Sequence, residues 1–197
     1  MKSGWVLRPA RIAMLLVVGA LLSLPPYASV SRAASSKPAT AAEADLKVAY
    51  TIAFLKFISH AEGDLRSADP VMHMCVIGDG SVAEAFARAN GAVVQVDSAK
   101  TLIVTTDPSA LTCSEQRRCW AVYIDHANRH RVSQIASTIR GKSILLITES
   151  KGALDDGAMV NLLRSGDRLR WEMSRTHLEA AKLSISSQIY RNALRVK

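Results

Sequence analysis

Two adjacent carboxylates, Asp155 and Asp156, open the segment DDGAMVNLLRSGDRLRWEM and are candidates for acid–base chemistry. Glycoside hydrolysis, for example, needs two carboxyl groups held at a defined separation across a cleft. Neighbouring residues of a loop point their side chains in different directions, so the pair fits a solvated turn better than a catalytic dyad. We therefore predict that this segment contributes no catalytic residue.

His126 and His130 are four residues apart, a spacing that can hold zinc on a helix. The glutamate of an H-E-x-x-H motif is missing, no third ligand is evident, and the arginines at 129 and 131 would repel a cation. The sequence also lacks the G-x-S-x-G nucleophile elbow. We predict no metal, no cofactor and no enzymatic activity.

Gly78, Asp79 and Gly80 follow a short apolar run and precede a helical pattern, the place where ligand-binding loops lie in parallel sheets. Neither G-x-G-x-x-G nor a Walker lysine is present, which argues against a phosphate site. A tight strand-to-helix turn is the simpler interpretation. If the chain binds a small ligand, the predicted rim is Asp79, Asp125 and Asp156.

Three cysteines, Cys75, Cys113 and Cys119, bear on the redox chemistry of the chain. Cys75 and Cys119 lie in strand-like apolar segments, and neighbouring strands can bring two such residues within bridging distance. Cys113 and Cys119 could instead close a small loop. In a monomer one of the three cysteines stays unpaired. The buried strands favour Cys75 with Cys119, and the role of Cys113 stays open.

These candidates must be positioned by an alternation of helices and buried strands. Helical spacing of apolar residues marks 45–59, 82–90, with Ser81 as the N-cap, and 128–140. Strand-like runs are found at 71–77, 92–96, 101–106, 120–124 and 143–148. The segments 159–163 and 168–173 alternate around Ser-Gly-Asp, as a hairpin does. The pattern predicts a single α/β domain. Its central β-sheet is mixed, largely parallel and flanked by helices, with a C-terminal antiparallel edge hairpin.

The first 33 residues have the layout of a secretory signal peptide. A basic start is followed by an almost unbroken apolar run at 12–24, two prolines and small residues. The run has 13 residues, fewer than the about 20 that span a bilayer. We predict a cleaved signal peptide at 1–33, a flexible mature N-terminus at 34–44 and a folded domain at 45–197. After cleavage no direct membrane insertion is expected.

The net charge excludes one class of partner. The whole chain carries +8, but the first 33 residues hold four basic residues and no acid, which leaves +4 on the remainder. No Lys/Arg block resembles a nucleic-acid arm, and few aromatic residues stand among the basic ones. We therefore predict no nucleic-acid binding.

A series of motifs over about residues 45–194 resembles the YfiR family of periplasmic regulators. The series runs LKVAYTIAFLKFI, MCVIGDG, CWAVYID, SILLITES, DDGAMVNLL and RLRWEMSRTHLEAAKLSISSQIYRNAL. The residues that match the C-terminal signature are Gly157, Met159, Asn161, Leu183, Ile185, Ser186 and Ser187. The chain departs from the family pattern at His60-Ala61, where Trp-Pro is usual, at Ser174, where Asn is usual, and at Ala158, where a second Gly is common.

The resemblance implies a non-enzymatic protein of the periplasm of Gram-negative bacteria. The best-known type represses a membrane-bound diguanylate cyclase by binding its periplasmic sensor domain, and dimerisation and a disulfide affect the repressor. By that resemblance this chain would lower cyclic-di-GMP signalling and biofilm formation, form a homodimer, and carry a structural disulfide between Cys75 and Cys119. A periplasmic small-ligand binding protein is the alternative.

The hairpin is the strongest family signature and a candidate interface. An edge hairpin offers unpaired backbone groups to another chain. We name Met159, Asn161 and Trp171 as possible interface residues, although the register of the strands decides which of them face the core.

Overall fold

The predicted alternation of helices and strands is present in the computed structural model, which describes residues 36–60, 68–96, 98–106 and 119–197. The predicted signal peptide and Cys113 lie outside these ranges. Residues 35–197 form one compact unit, as a single domain requires. Among the described residues, no helix is both long enough and apolar enough to cross a bilayer.

Five helices and ten strands make up the described part of the chain. The helices are α1 Ser36–Lys56, α2 Gly80–Arg88, α3 Val132–Ile139, which follows a 3-10 turn at Arg129–Arg131, α4 Arg175–Ala180 and α5 Ser187–Arg191. The strands are β1 Ile58–Ser59, β2 Val71–Ile77, β3 Val93–Gln95, β4 Ala99–Thr106, β5 Cys119–Ile124, β6 Leu145–Thr148, β7 Val160–Ser165, β8 Arg168–Met173, β9 Ser184–Ile185 and β10 Arg195–Val196.

Eight strands form one sheet in the order β10-β8-β7-β6-β5-β2-β4-β3, and β1 pairs with β9 in a second, small sheet. The inner pairs β4–β2, β2–β5, β5–β6 and β6–β7 are parallel, whereas β3–β4 and β7–β8 are antiparallel. The inner strands β5 and β6 are buried along their whole length, as strands covered on both faces must be. The predicted fold class is confirmed.

The order of the strands reverses next to β2. The chain leaves β2 through α2 and returns in β4 on one side, and it leaves β5, on the other side of β2, through α3 toward β6. Right-handed crossovers in opposite directions place α2 and α3 on opposite faces of the sheet. The carboxyl ends of β2 and β5 therefore flank a topological switch point, where open α/β sheets bind ligands.

Helix α1 begins earlier than the sequence indicated. Apolar periodicity placed its start near Asp45 and assigned 34–44 to a flexible N-terminus, but the helix already includes residues 36–44. Alanine is the best helix former, and residues 41, 42 and 44 are all alanine. Ala44 is also buried, so packing against the domain helps to hold this extension.

The end of the chain folds back on the end of α1. Strand β9 pairs antiparallel with β1, with Ile58 opposite Ile185, and the backbone N–H of Ser186 donates to the carbonyl of Phe57. Ser186 then caps α5, since its hydroxyl accepts from the N–H of Gln188. The Leu-x-Ile-Ser-Ser signature therefore joins the last helix to the first.

Two departures from the family pattern have simple structural explanations. Ser174 is the N-cap of α4, with its hydroxyl accepting from the N–H of His177 at 3.3 Å, and Ser and Asn cap helices about equally well. Ala158 does not have a positive φ, so the position does not need glycine. At α2, by contrast, the sequence indicated Ser81 as the cap, but the N-cap is Asp79, because the helix starts two residues earlier, at Gly80.

Candidate functional site

A cavity of about 320 Å³ opens at the switch point. It lies where β2 and β5 end, and Asp79 and Asp125, two of the three predicted rim residues, line it together. Glu149, the residue after β6, lines the same cavity. Acidic side chains therefore follow three neighbouring parallel strands and meet at one edge of the sheet.

Asp125 organises the loops around this cavity. Asp125 is buried, with 5% of its surface exposed. One carboxylate oxygen accepts from the backbone N–H of Asp79 at 3.1 Å, and the other accepts from the backbone and side-chain N–H groups of Asn128 at 2.9 and 2.8 Å. A Cβ at Gly78 would come within 2.9 Å of the Asp125 carboxylate, so only glycine lets β2 end this close to Asp125.

Glu149 joins the sheet to the first helix. Its carboxylate accepts from the Tyr123 hydroxyl at 2.6 Å and from the backbone N–H of His126 at 3.1 Å, and it pairs with Lys47 at 2.8 Å. Lys47 also pairs with Glu43, which in turn contacts Arg164. One network of charges therefore connects β5, β6, β7 and α1.

The same network shifts three pKa values. The hydrogen bond from Lys47 is the main cause that lowers the pKa of Glu43, while partial burial opposes it. Burial works against the charged form of Lys47, but the hydrogen bonds and charges of Glu149 and Glu43 outweigh it and raise the lysine pKa. Burial, followed by the charge of Glu149, raises the pKa of Tyr123 well above its usual value of 10.0.

Two carboxylates of this cavity, those of Asp125 and Glu149, already hold parts of the fold together. Asp125 fixes two loops, and Glu149 is engaged by a phenol, an ammonium group and a backbone N–H. A general base, by contrast, must be able to reach a substrate proton. The geometry therefore favours recognition of a ligand or partner at a prearranged surface over acid–base chemistry.

Asp156, the third predicted rim residue, lies elsewhere. It lines a separate cavity of about 400 Å³ together with Asp155, Gly157 and residues of α3 and α4. This cavity shares no lining residue with the switch-point cavity. Asp155 forms an ion pair with Lys197, so the Asp-Asp-Gly segment contacts the C-terminal end of the chain.

The two histidines of the possible zinc motif do not come together on one helix face. His126 lies before the 3-10 turn, with Nδ1 3.2 Å from the Ser150 hydroxyl, and His130 is exposed within that turn. Across the described ranges, no three His, Cys, Asp or Glu side chains are arranged to hold a metal ion.

Cys75 and Cys119 lie side by side on β2 and β5. Their sulfur atoms are 2.9 Å apart, and both residues are fully buried. A bulge makes this possible: His73 is opposite Cys119, but Met74 is opposite Ala121, which leaves one extra residue in β5. Cys119 consequently shares a sheet face with His73 and Cys75. The arrangement supports the predicted pairing, and Cys113 lies outside the described residues.

The three possible interface residues of the hairpin differ in accessibility. Met159 and Asn161 are 4% and 0% exposed, so neither presents its side chain to a partner in this fold. Trp171 is partly buried against the rings of Tyr50 and Phe54, with centroids 5.5 and 5.6 Å away. The hairpin pairs antiparallel as predicted, and β10 pairs with the outer edge of β8 at Glu172 and Met173.

Asn161 belongs to a row of polar side chains that crosses the sheet. Thr148, Asn161, Glu172 and Arg195 occupy register-paired positions on β6, β7, β8 and β10. Thr148 donates to the Asn161 side-chain oxygen at 2.8 Å, the Asn161 amide donates to Glu172 at 3.4 Å, and Glu172 pairs with Arg195 at 3.3 Å. The signature asparagine therefore helps to fix the register of the hairpin.

Sequence reasoning missed Glu149 and Lys47. Glu149 carries the same signal as Asp79 and Asp125, an acid within two residues of the end of a buried strand. Lys47 stands out as a charge within the apolar helical pattern of α1. Each of these residues could have been noted from the sequence. Their contact with each other, however, follows only from the order of the strands in the sheet.

The fold is a doubly wound α/β domain with a cavity at its topological switch point. Comparison with protein families matches the model described as YfiR/HmsC-like over residues 44–193. The match covers most of the chain, and the protein belongs to this family. Comparison with curated proteins finds no match.

Proposed function

We propose that this protein is a periplasmic regulatory binding protein that represses a membrane-bound diguanylate cyclase through the cyclase's periplasmic sensor region. Repression lowers cyclic-di-GMP and so biofilm formation. The observation that carries the proposal is the family match, which spans residues 44–193 and thus nearly the whole folded unit. In this role the chain is exported by a cleaved signal peptide at 1–33 and acts as a homodimer, without catalysis.

The engaged carboxylates of the switch-point cavity support a binding role. A domain without catalytic chemistry regulates a partner only by binding two of the partner's states with different affinity. The network around Asp125 and Glu149 holds the loops of the cavity in one arrangement before any partner arrives. Such preorganisation reduces the ordering cost of association.

A deletion strain tests the regulatory role directly. Loss of the gene should raise cellular cyclic-di-GMP, and expression of the chain from a plasmid should restore the lower level. Affinity capture from envelope fractions should recover an inner-membrane protein with a periplasmic loop and a cytoplasmic cyclase domain. Unchanged cyclic-di-GMP in the deletion strain, under conditions where the chain is expressed, would refute the proposal.

Within this proposal, a disulfide between Cys75 and Cys119 stabilises the active fold. Bridges of this kind contribute about 2–4 kcal/mol to stability. We expect Cys75→Ser, Cys119→Ser and the double variant to lower the free energy of unfolding by similar amounts, because each removes the same bond. If the double variant matches the unchanged chain in both stability and repression, the proposed disulfide has no role in this function.

A small-ligand binding protein is the second candidate, and the position of the cavity at the switch point favours it. A thermal-shift screen of small periplasmic metabolites would find a stabilising compound. Asp79→Asn should weaken the shift, whereas Asp156→Asn should not, because Asp156 lines the other cavity. A screen without any stabilising compound argues against this function.

A further inference from the structure

Helix α1 is apolar on two opposite faces. A helix turns about 100° per residue, so one row of residues faces the sheet and another lies directly opposite. The face turned toward the core consists of Ala44, Val48, Thr51, Phe54, Leu55 and, just beyond the helix, Ile58. A helix with only this row buried is expected to be polar on its other side.

The opposite row is not polar. It consists of Ala42, Leu46, Ala49, Ala53 and Phe57, which we call the outer stripe. Leu46 and Phe57, its two large members, are 43% and 40% exposed. The spacing of four, three, four and four residues keeps the outer stripe on one side of the helix over about 22 Å. This is the spacing of a seam between two helices.

A groove of about 210 Å³ adjoins the N-terminal end of the outer stripe. Ala42, Leu46 and Leu169 provide its apolar surface, and charged residues of α1 and the β7–β8 hairpin surround it. Phe57, the one aromatic ring of the outer stripe, lies at the opposite end, about 16 Å from Leu46 along the helix axis. The stripe therefore carries a protruding ring at one end and a recess at the other.

We propose that the outer stripe is the contact surface for a second copy of this chain, with the two α1 helices antiparallel. In a two-fold dimer each contact occurs twice, so Phe57 of each copy enters the groove beside Leu46 of the other. Ala49 and Ala53 then face each other near the axis, where small side chains let two helices approach closely. An aromatic ring that fills a pocket is the usual anchor of a protein interface.

The charges beside the outer stripe fit the same arrangement. Asp45, which pairs with Arg88 of the same chain at 2.6 Å and stays exposed, stands near its N-terminal end. Lys56, also exposed, stands near its C-terminal end. Antiparallel pairing brings Asp45 of one copy toward Lys56 of the other, twice per dimer. Parallel pairing would leave Asp45 and Lys56 about 16 Å apart along the helix axis, so the charges favour the antiparallel orientation.

This inference deepens the proposed function, because it assigns the surface through which the proposed homodimer forms. Sedimentation equilibrium of the purified chain tests it without the cyclase. The unchanged chain should form dimers, and Phe57→Ser should raise the dimer dissociation constant at least about 30-fold, as the loss of an aromatic anchor does. Ala49→Glu, at an exposed position where folding is little affected, should have a similar effect.

A matched control separates the outer stripe from general surface hydrophobicity. Leu194 is 50% exposed outside α1, so Leu194→Ser should leave the dissociation constant unchanged. Asp45→Lys and Lys56→Asp should each weaken the dimer, and the two changes together in one chain should restore it. Restoration by the double exchange is not expected from misfolding.

Several results would overturn the inference. A chain that stays monomeric at every accessible concentration would overturn it. Equal increases in the dimer dissociation constant from Phe57→Ser and Leu194→Ser would overturn it as well. A monomer that binds anionic vesicles through Phe57 would assign the outer stripe to a lipid surface instead. Weakened dimers with intact repression of cyclic-di-GMP would leave the interface standing and remove its regulatory role, whereas intact dimers without repression would count against the proposed function alone.

Discussion

Replacing Gly157 by alanine should destabilise the domain more than the same change five residues earlier. Gly157 has φ +105°, and an added Cβ would lie 2.5 Å from the Cβ of Ala136 on α3. Gly152 lies in the same loop with φ +82°, but nothing stands within 4 Å of its added Cβ. The two positions share the backbone strain and differ in the contact with α3.

The magnitude follows from these two terms. A non-glycine residue in a sparsely populated backbone region costs about 1–3 kcal/mol. Overpacking a well-filled site adds about 1–3 kcal/mol. We therefore expect Gly152→Ala to lower the free energy of unfolding by about 1–3 kcal/mol and Gly157→Ala to lower it by about 2–6 kcal/mol.

Urea denaturation monitored by circular dichroism measures both losses, and a third variant identifies the cause. Ala136→Gly alone should cost up to about 1 kcal/mol, the penalty of glycine within a helix. Combined with Gly157→Ala it should recover stability, because it removes the atom that is overlapped. Additive losses in the double variant, or equal losses at Gly152 and Gly157, would refute the packing argument.

Three further predictions concern the fold around the sites. Burial and the neighbouring charge raise the pKa of Tyr123 above 10.0, so the folded chain retains a proton that the unfolded chain loses. The contribution of Tyr123 to stability should therefore be constant below about pH 10 and fall above it, and Tyr123→Phe should make the alkaline fall shallower in urea titrations at increasing pH. Asn161→Ala should lower the free energy of unfolding by about 1–3 kcal/mol, since it leaves buried partners unsatisfied. Asn192→Ala, on the surface, should change it by no more than about 0.5 kcal/mol. Equal effects of the two substitutions would contradict the role of the polar row. Ser174→Ala should lower the free energy of unfolding by about 1 kcal/mol because the helix loses its N-cap, whereas Ser174→Asn should retain the cap and the stability. Thermal denaturation of the two variants measures the difference.

The position of the switch-point cavity was largely readable from the sequence. Asp79 and Asp125 each follow a buried apolar run, and parallel strands bring such positions to one edge of a sheet. The sequence could not separate Asp156 from them, because a loop residue after β6 can lie on either side of the sheet edge. The structure places it against α3 and α4.

The hairpin shows where sequence reasoning stops. Alternation and the Ser-Gly-Asp turn predicted two antiparallel strands, and the strands are present. Alternation does not say which face is turned inward, since a slip of one residue moves every side chain to the other face. Pairing with β6 settles the question by placing Asn161 opposite Thr148, and this buries a residue that the sequence offered as a possible contact.

The sequence by itself determined the series of helices and strands, the turns between them and the family, because periodicity, glycines and short motifs act over a few residues at a time. The tertiary structure decided the contacts between distant segments. The bulge that turns Cys119 toward Cys75 is one such outcome, and the convergence of Lys47 with Glu149 is another. Both depend on strand order and register, which follow from packing the whole sheet at once.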